Sequence, residues 1–511
     1  MDLGKGEVIS GARRLDAAEL TLRIKKASGA LASLGIGAGD SVALLLRNDF
    51  TFVEATRGTS ELGAYPVPIN WHFTGPEARY IIEDSGAKVL VAHADLLAPL
   101  RGELPDGLTL LVVPTPGEIA AAYGLAPELC AVPAGDTDWN AWIAGFEPYV
   151  PDSVGLPSSM IYTSGTTGRP KGVRRQANTL EQFMAQVRSV SLAYGVGAGA
   201  AHSVITGPMY HAAPNTYTTL ALLAGGLTVF QPRFDPEELL HLIQQHSITH
   251  LHLVPTMFVR LLALPDAVKA RYDTRSLKWA VHAAAPCPVD VKNRMLDWWG
   301  PVIYEYYGST ELGAVTLCRP EDWPGHQGTV GKPLPGVEVK IFDDDGHELP
   351  PGDDNVGEVY ARVAAIPDFT YHHDKAKRES VGRDDLVTCG DMGYLDTDGF
   401  LYLSTRKADM VISGGVNIYP AEIEDALHEL AGVADCAVFG IPDKEYGESL
   451  VAIISTENGV ALSETDVRAF LDGRLARYKI PQTIEFRASL PRQDSGKLFK
   501  RLIREEFLES H

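Results

Sequence analysis

The sequence has few cysteines and no cysteine pair at the spacing of a metal or redox motif. The five are scattered, at Cys130, Cys287, Cys318, Cys389 and Cys436. Five thiols cannot pair completely, and no two of them form a Cys-X-X-Cys unit. We therefore expect unpaired thiols in a reducing cytoplasm, and neither a disulfide framework nor a zinc site.

Long apolar runs and broad basic regions are also missing. The segment Met1–Glu7 lacks the apolar core of a secretory signal, and the longest apolar run, Thr219–Phe230, is too short to cross a bilayer. Lysine and arginine number 45 against 66 acidic residues, which gives a net charge of −21. We expect a cytoplasmic protein without a transmembrane segment. Nucleic acid is not an expected partner, because neutralising its phosphates needs a broad basic surface.

What the sequence does contain is enough apolar material for more than one core, with 45% hydrophobic residues over 511 positions. From residue 40 onward, predicted strands and helices alternate, which favours parallel sheets covered by helices on both faces. After about residue 330 the pattern becomes β-rich, and the last hundred residues read as a compact α+β unit. We predict an α/β fold with a large N-terminal domain (1–406) that includes a β-rich subdomain, and a small α+β C-terminal domain (407–511).

Several element boundaries can be predicted from periodicity, caps and turn residues. The predicted strands are Ser41–Leu46, Tyr65–Ile69, Lys88–Ala92, Ile248–Val254, Lys278–Ala284, Val302–Tyr307, Val337–Phe342, Gly357–Val363, Ala434–Phe439, Leu450–Ser455 and Ile484–Phe486. The predicted helices are Phe50–Leu62, Pro76–Asp84, a helix starting at Asp235, Val289–Trp299, Ala421–Leu430 and Glu464–Leu475.

The most informative motif is a loop rich in glycine and hydroxyl side chains, from Tyr162 to Gly172. It follows a predicted strand end, and it precedes a helical pattern with apolar positions from Leu180 to Val187. Backbone N–H groups at the glycines, the hydroxyls and Lys171 can together bind phosphate. An ordinary Walker loop is disfavoured because Arg169-Pro170 separates Gly168 from Lys171. A flexible connector is the alternative.

Four further segments carry groups suited to a nucleotide or a carboxylate. Tyr304–Glu311 ends a predicted strand, where aromatic rings can stack on a base and Glu311 can hold Mg²⁺. Asp391 lies between two glycines and can accept hydrogen bonds from a ribose, which Arg406 could also reach. Lys497 lies on a glycine-containing turn, and His211 follows an apolar strand. Each has an ordinary alternative: a solvated acid, an Asx turn, surface cations and a structural histidine.

Taken together and in this order, the segments resemble the adenylate-forming superfamily of acyl-CoA synthetases, aryl-CoA ligases, luciferases and peptide-synthetase adenylation domains. The resemblance runs from about Ser41 to Lys500. It implies that a carboxylate attacks the α-phosphate of ATP to give acyl-AMP and pyrophosphate, after which a second nucleophile displaces AMP. It also implies that the C-terminal domain is mobile and rotates between the two steps.

The resemblance assigns roles to residues of this chain. The phosphate set would be Thr163, Ser164, Gly165, Thr166, Thr167, Gly168 and Lys171. The base and ribose set would be Ala284, Ala285, Pro286, Glu305, Tyr306, Tyr307, Gly308, Thr310, Asp391 and Arg406. Glu311 with Thr163 would bind Mg²⁺. Lys497 would bridge the attacking carboxylate and the α-phosphate, stabilising the charge that peaks in the transition state, and His211 would act at the same centre.

The same resemblance implies where the acceptor and the acid bind. Gly414 and Gly415 would line a tunnel for the thin arm of CoA, and we expect no carrier-protein domain after residue 505. Ala408 stands where many relatives carry Asp or Lys, so the hinge energetics would differ. The acid pocket would be formed by His211, Ala212, Ala213, Tyr217, His282, Ala283 and Gly308. The bulk of His282 and Tyr217 predicts a medium, cyclic or aromatic acid in preference to a long fatty acid.

Three functions remain open on the sequence. The first is a CoA ligase, the second is a stand-alone amide ligase that passes the acyl group to an amino-acid amine, and the third is a nucleotide-sensing protein without catalysis. The motifs for adenylation are common to the first two. The presence of Lys497 and Glu311 argues against the third. The identity of the acid and the oligomeric state are left open.

Overall fold

The computed structural model describes residues 5–149, 151, 155–163, 170–197, 199–406, 409–413, 416–443, 446–457, 460–472, 474–475, 477–492 and 498–511. In chain order the strands are β1 Glu7–Ser10, β2 Arg13–Asp16, β3 Ser41–Leu45, β4 Tyr65–Pro68, β5 Ala87–His93, β6 Thr109–Val113, β7 Thr137–Asp138, β8 Ile161–Thr163, β9 Lys171–Arg175, β10 His202–Ile205, β11 Leu227–Phe230, β12 His250–Leu253, β13 Trp279–His282, β14 Ile303–Ser309, β15 Gly313–Cys318, β16 Lys332–Pro333, β17 Val337–Phe342, β18 Gly357–Val363, β19 Phe369–Tyr371, β20 Gly382–Arg383, β21 Leu386–Leu395, β22 Leu401–Arg406, β23 Val411–Ser413, β24 Val416–Ile418, β25 Val433–Asp443, β26 Gly447–Thr456 and β27 Thr483–Phe486.

The helices are α1 Ala17–Ser33, α2 Phe50–Glu61, α3 Gly75–Asp84, α4 Ala94–Leu97, α5 Gly117–Tyr123, α6 Pro127–Cys130, α7 Trp139–Ala144, α8 Leu180–Tyr194, α9 Ala212–Leu223, α10 Pro236–His246, α11 Pro255–Leu262, α12 Asp266–Lys269, α13 Val289–Trp299, α14 Lys375–Ser380, α15 Pro420–His428, α16 Glu464–Asp472 and α17 Lys500–Ser510. None of these helices combines the length and apolar character needed to span a membrane.

Two parallel sheets form the framework of the larger part of the chain. One has five parallel strands in the order β4-β3-β5-β6-β7. The other has nine strands in the order β16-β15-β14-β13-β12-β10-β11-β1-β2, with six parallel strands at its centre and antiparallel pairs at its ends. A core cluster from α1, α2, α8 and α9 fills the space between the sheets, and separate clusters cover their outer faces. The predicted α/β fold with helices on both faces is confirmed.

The β-rich subdomain is also confirmed. Strands β17, β18, β20, β21 and β22 form one antiparallel sheet, and β8, β9 and β19 form a small second sheet. After residue 410, two apolar clusters draw on described residues between Val411 and Phe507 alone. These clusters pack α15, α16 and α17 against a five-stranded sheet. The C-terminal unit therefore has a core of its own. The domain boundary at residue 406 and the mobility of the C-terminal domain stay predictions.

Local sequence signals explain the elements that were predicted well. Helix α10 begins after Asp235, whose side chain accepts a hydrogen bond from the N–H of Glu238, with Pro236 in the first turn. Helix α13 and strands β17 and β18 have the predicted bounds, and the other predicted strands and helices are present with ends shifted by a few residues. None of the five cysteines, all of which are described, forms a disulfide, as expected.

Strand β9, between the hydroxyl-rich loop and α8, is an element that the sequence pattern does not predict. The loop joins an antiparallel hairpin, in which Thr163 pairs with Lys171, so it is not a strand-to-helix connection. Helix α8 begins at Leu180 after a capping box at Thr179. Its first apolar residues do not pack into the core: Leu180 is 62% exposed and Met184 is 39% exposed. The predicted helix is therefore confirmed, but only its second half contributes to the core.

A buried ion pair ties α13 to β14. The ammonium of Lys292 donates to the Glu305 carboxylate at 2.7 Å and lies 3.8 Å from the ring centre of Trp323. Both side chains are almost fully buried, so each charge depends on the other for compensation. The pair fixes the strand that leads into the predicted base-binding segment.

Replacing Lys292 by methionine is expected to lower the free energy of unfolding by about 3 kcal/mol, because the Glu305 carboxylate is left buried without its partner. The double variant Lys292→Met/Glu305→Leu should recover most of this loss. Urea denaturation followed by tryptophan fluorescence measures both. Lys340→Met, which breaks an exposed pair with Glu348, is the control and should leave the urea midpoint in place. A single variant as stable as the parent would contradict the role of the pair.

Candidate functional site

A cavity of about 740 Å³ opens where parallel strands of the nine-stranded sheet end. Its lining includes residues that directly follow the carboxyl ends of β12, β13 and β14, the place where α/β folds bind ligands. The predicted site residues that line it are Thr163, Lys171, His211, Ala212, Ala213, Ala283, Ala284, Tyr306, Gly308, Thr310 and Glu311. Segments from 163 to 390 therefore meet around one space.

At one side of this cavity, Lys171 is held by a carboxylate. Its ammonium forms an ion pair with Asp374, which also accepts a hydrogen bond from the N–H of Lys377 at the start of α14. These bonds hold the pKa of the Asp374 carboxyl below its ordinary value, first because of the bond from Lys171. Asp374 was not singled out in the sequence, since it lies 203 positions from Lys171. Ser164, Gly165, Thr166, Thr167 and Gly168 lie outside the described residues.

Arg175 supports the segment that carries Glu311. Its guanidinium donates to the carbonyl of Thr310 at 3.0 Å and, at shorter range, to the carbonyls of Glu311 and Pro367. Burial lowers the pKa of Arg175 to about 10, which keeps it charged at neutral pH. Tyr371 donates to the Glu311 carboxylate at 3.1 Å. Arg175 was not predicted as a site residue. The signal that could have found it is its spacing from Lys171 and Val173, which places all three residues on one face of a strand.

The predicted base and ribose residues converge next to this segment. The hydroxyl of Tyr307 donates to the Asp391 carboxylate at 2.6 Å, and Asp391 pairs with the Arg406 backbone between β21 and β22. The register of β14 and β15 shifts between Tyr307 and Gly308. A Cβ atom at Gly308 would overlap the carbonyl oxygen of Gly313, so this close turn requires glycine.

The other end of the cavity is aromatic. Tyr194 from the end of α8, His252 from β12 and Tyr306 from β14 all line it. The hydroxyls of Tyr194 and Tyr306 are 2.8 Å apart, and the His252 Nε2 lies 3.3 Å from the Tyr306 hydroxyl. Burial, the main cause in each case, raises the pKa of both tyrosines and lowers the pKa of His252 to about 3. All three side chains are therefore neutral at pH 7. Apolar side chains complete the wall, among them Val190, Val254 and Met257.

Two residues predicted for the acid pocket lie behind this wall and not in it. Tyr217 is buried, with its ring centre 5.9 Å from that of Tyr194 and 5.7 Å from that of His252, and it does not reach the cavity surface. His282 is fully buried against Phe258, with its Nε2 3.6 Å from the Glu305 carboxylate. The bulky side chains that line this end of the cavity are Tyr194, Tyr306 and His252, and not the predicted Tyr217 and His282.

The remaining predicted residues are placed as follows. Glu305 is on the strand face opposite Tyr306 and is paired with Lys292, so its carboxylate does not line the cavity. Ala285 and Pro286 follow Ala284 but are not part of the lining. Gly414, Gly415 and Lys497, together with Ala408, lie outside the described residues.

Two family models and several known proteins are similar to this chain. The family model described as AMP-binding enzyme matches residues 4–366, and that described as AMP-binding enzyme C-terminal domain matches residues 422–497. A 7a-methyl-1,5-dioxo-octahydroindenyl-propanoyl:CoA ligase of Rhodococcus jostii (strain RHA1) is 34% identical, over 98% of this chain and 95% of that protein. A feruloyl-CoA synthase of an Amycolatopsis species is 33% identical, over 97% and 95% of the two chains. The amide bond synthetase McbA from Marinactinospora thermotolerans superposes with a TM-score of 0.85 at 25% identity, covering 99% of this chain and 98% of that one.

Arg175→Met is expected to reduce the free energy of unfolding by about 1–3 kcal/mol, because three carbonyl oxygens lose a buried donor. Thermal denaturation of the variant and the parent checks the loss. Arg188→Met, at an exposed position of α8, is the matched control and should melt with the parent. Equal melting of all three proteins would show that Arg175 does not support the Glu311 segment.

Proposed function

The chain belongs to the AMP-binding enzyme family and is an AMP-forming acid ligase, and on that basis we propose that it converts a medium-sized cyclic or aromatic carboxylic acid, ATP and CoA into an acyl-CoA. One observation carries the proposal: a single cavity joins the cationic and acidic groups at Lys171 and Glu311 to an aromatic end at Tyr194 and Tyr306. A nucleotide and a ring-bearing acid would then meet inside one space. The acid is activated through an acyl-adenylate.

The nucleotide would bind at the polar side of the cavity, with its base and ribose near Tyr307 and its phosphates near Lys171. The ring of Tyr307 would lie against adenine, while Asp391, already bonded to the Tyr307 hydroxyl, would accept hydrogen bonds from the ribose. Arg406 would bind the same ribose, because its backbone pairs with that of Asp391. Lys171 and the hydroxyl-rich loop would hold the β- and γ-phosphates, so that Lys171 exchanges Asp374 for phosphate oxygens.

Mg²⁺ fits the chemistry of the residues present. Glu311 and Thr163 both line the cavity and both offer oxygen atoms, the ligand type that this ion takes. When bound there, the ion would neutralise part of the phosphate charge. Arg175 and Tyr371 keep the Glu311 segment and its carboxylate in place.

In the first step, a carboxylate oxygen of the acid would attack the α-phosphorus, and pyrophosphate would leave. Lys497 would contact the carboxylate and the α-phosphate oxygens, where negative charge grows in the transition state. In the second step, the CoA sulfur, having lost its proton, would attack the acyl carbonyl carbon, and AMP would leave. Rotation of the C-terminal domain about a hinge near Arg406–Asp409 would withdraw Lys497 and bring Gly414 and Gly415 toward the CoA arm.

The acid class rests on the closed aromatic end of the cavity. Tyr194, Tyr306 and His252 limit its depth, while small residues at Ala212 and Ala283 leave width. Two relatives are named for ring-bearing acyl groups, a dioxo-octahydroindenyl propanoyl group and a feruloyl group. A pocket lined by three rings at one end and by small residues beside them favours such groups over an extended fatty chain.

An amide ligase is the second candidate, and the similarity to the amide bond synthetase McbA favours it. The adenylation geometry is common to both, so only the acceptor separates the two functions. A binding protein without catalysis would keep the nucleotide contacts but release no pyrophosphate.

We expect pyrophosphate release with ring-bearing propanoic, cinnamic and arylacetic acids, and at least tenfold lower kcat/KM with palmitate. The physical reason is the closed end of the pocket. A coupled pyrophosphate assay across the acid panel measures this preference. Mass spectrometry then identifies the product with CoA alone and with a mixture of amino acids alone. Adenylate consumed only by amines would move the assignment to the amide ligase, and a preference for palmitate would overturn the acid class.

Lys497→Ala is expected to slow pyrophosphate release by roughly 10²- to 10³-fold, as loss of one group that stabilises transition-state charge does. Conversion of supplied acyl-AMP to acyl-CoA should be much less affected, because Lys497 acts in the first step. Arg501→Ala, at an exposed position on α17, is the control for charge removal in the same region. Unchanged pyrophosphate release in Lys497→Ala would remove this lysine from the mechanism.

A further inference from the structure

The aromatic end of the cavity contains polar atoms that a purely apolar pocket would not need. The hydroxyls of Tyr194 and Tyr306 and the Nε2 of His252 form a continuous chain, with separations of 2.8 Å and 3.3 Å. All three side chains are buried and all three line the cavity. Burying polar groups at the end of a pocket is costly unless they bond to one another or to a ligand.

This chain of hydrogen bonds can present either a donor or an acceptor at its end, the Tyr194 hydroxyl. If the Nε2 of His252 accepts from Tyr306, then Tyr306 accepts from Tyr194, and the Tyr194 oxygen keeps a lone pair to accept from a ligand. If the Nε2 carries the proton and donates, the direction reverses and Tyr194 has an O–H to give. A neutral imidazole can adopt either tautomer, and His252 is neutral because burial lowers its pKa to about 3.

The fold holds Tyr194 in place at this position. It is the last residue of α8, followed by Gly195 with φ of 70°. A side chain at Gly195 would overlap the ring of Trp279, whose indole N–H donates to the Ala193 carbonyl at 3.3 Å. The helix end is therefore seated on the sheet, and within the part of the chain that the structure describes the Tyr194 hydroxyl bonds to Tyr306 and to no other side chain.

We propose that the chain formed by Tyr194, Tyr306 and His252 determines specificity by binding a hydroxyl or keto oxygen on the ring of the acyl group, at the end remote from its carboxylate. This inference rests on the proposed function and narrows it to ring-bearing acids with a distal oxygen. Because the direction of donation along these hydrogen bonds can reverse, one site accepts both a phenol-like hydroxyl and a ring ketone. An acid without that oxygen leaves the buried tyrosine hydroxyl facing apolar atoms.

The test compares acids that differ only in the ring oxygen. The pairs are 3-(4-hydroxyphenyl)propanoate with 3-phenylpropanoate, and 3-(4-oxocyclohexyl)propanoate with 3-cyclohexylpropanoate. The kcat/KM for pyrophosphate release is measured for each acid with the parent, Tyr194→Phe and Tyr306→Phe. We expect the parent to prefer the oxygenated member of each pair about tenfold. In Tyr194→Phe this ratio should fall to about twofold or less, through loss of activity on the oxygenated acid.

Tyr217→Phe is the matched control, because it removes a hydroxyl from a buried ring next to the wall that does not reach the cavity. It should keep the parent's ratio, and thermal denaturation checks that each variant is folded. Should Tyr306→Phe fail to fold, Tyr194→Phe decides the matter. Equal use of both members of each pair by the parent, or an equal loss on both in Tyr194→Phe, would overturn the inference and leave the ligase function standing. No pyrophosphate release from any acid would overturn the proposed function and the inference with it.

Discussion

The alternation of side chains along β14 is the constraint on which the site depends. Successive residues of a strand face opposite sides, so Glu305 enters the ion pair with Lys292 while Tyr306 faces α8 and Tyr194. Tyr307, next in the chain, bonds to Asp391 of the β-rich subdomain. One short strand thus connects the core, the aromatic end of the cavity and the β-rich subdomain. A shift of register by one residue would exchange all three roles.

The two ends of the cavity are built by different means. The aromatic end is formed by regular elements, with α8 packed against one face of the sheet to which β12 and β14 belong. The polar side is formed by hairpins, and long-range bonds from Arg175 to the Thr310 and Glu311 carbonyls hold them together. Walls of regular structure suit the selection of an acid by shape, whereas hairpin ends leave backbone groups and charges within reach of a large anionic partner.

Much of the fold could be predicted from local signals, and the exceptions have physical causes. Helix α10 was predicted from its cap and first-turn proline, and β17 from its alternation. Strand β9 was missed because Lys171-Gly172-Val173-Arg174-Arg175 is mostly polar, and its pairing with β8 and β19 decides its conformation. The order of the motifs predicted many of the residues that line the cavity, but it could not predict Tyr194 or Asp374. Their roles come from partners 112 and 203 positions away.

The ion pair between Lys171 and Asp374 has a consequence for which anions the site retains. A phosphate tail that takes the lysine must displace a resident carboxylate, so binding is an exchange of one counterion for another. A triphosphate brings more negative charge to that competition than a monophosphate does, so the carboxylate would return more readily once the triphosphate has been consumed. If Lys171 holds the phosphates as proposed, the resident Asp374 carboxylate would favour capture of the fully charged nucleotide and departure of the spent one.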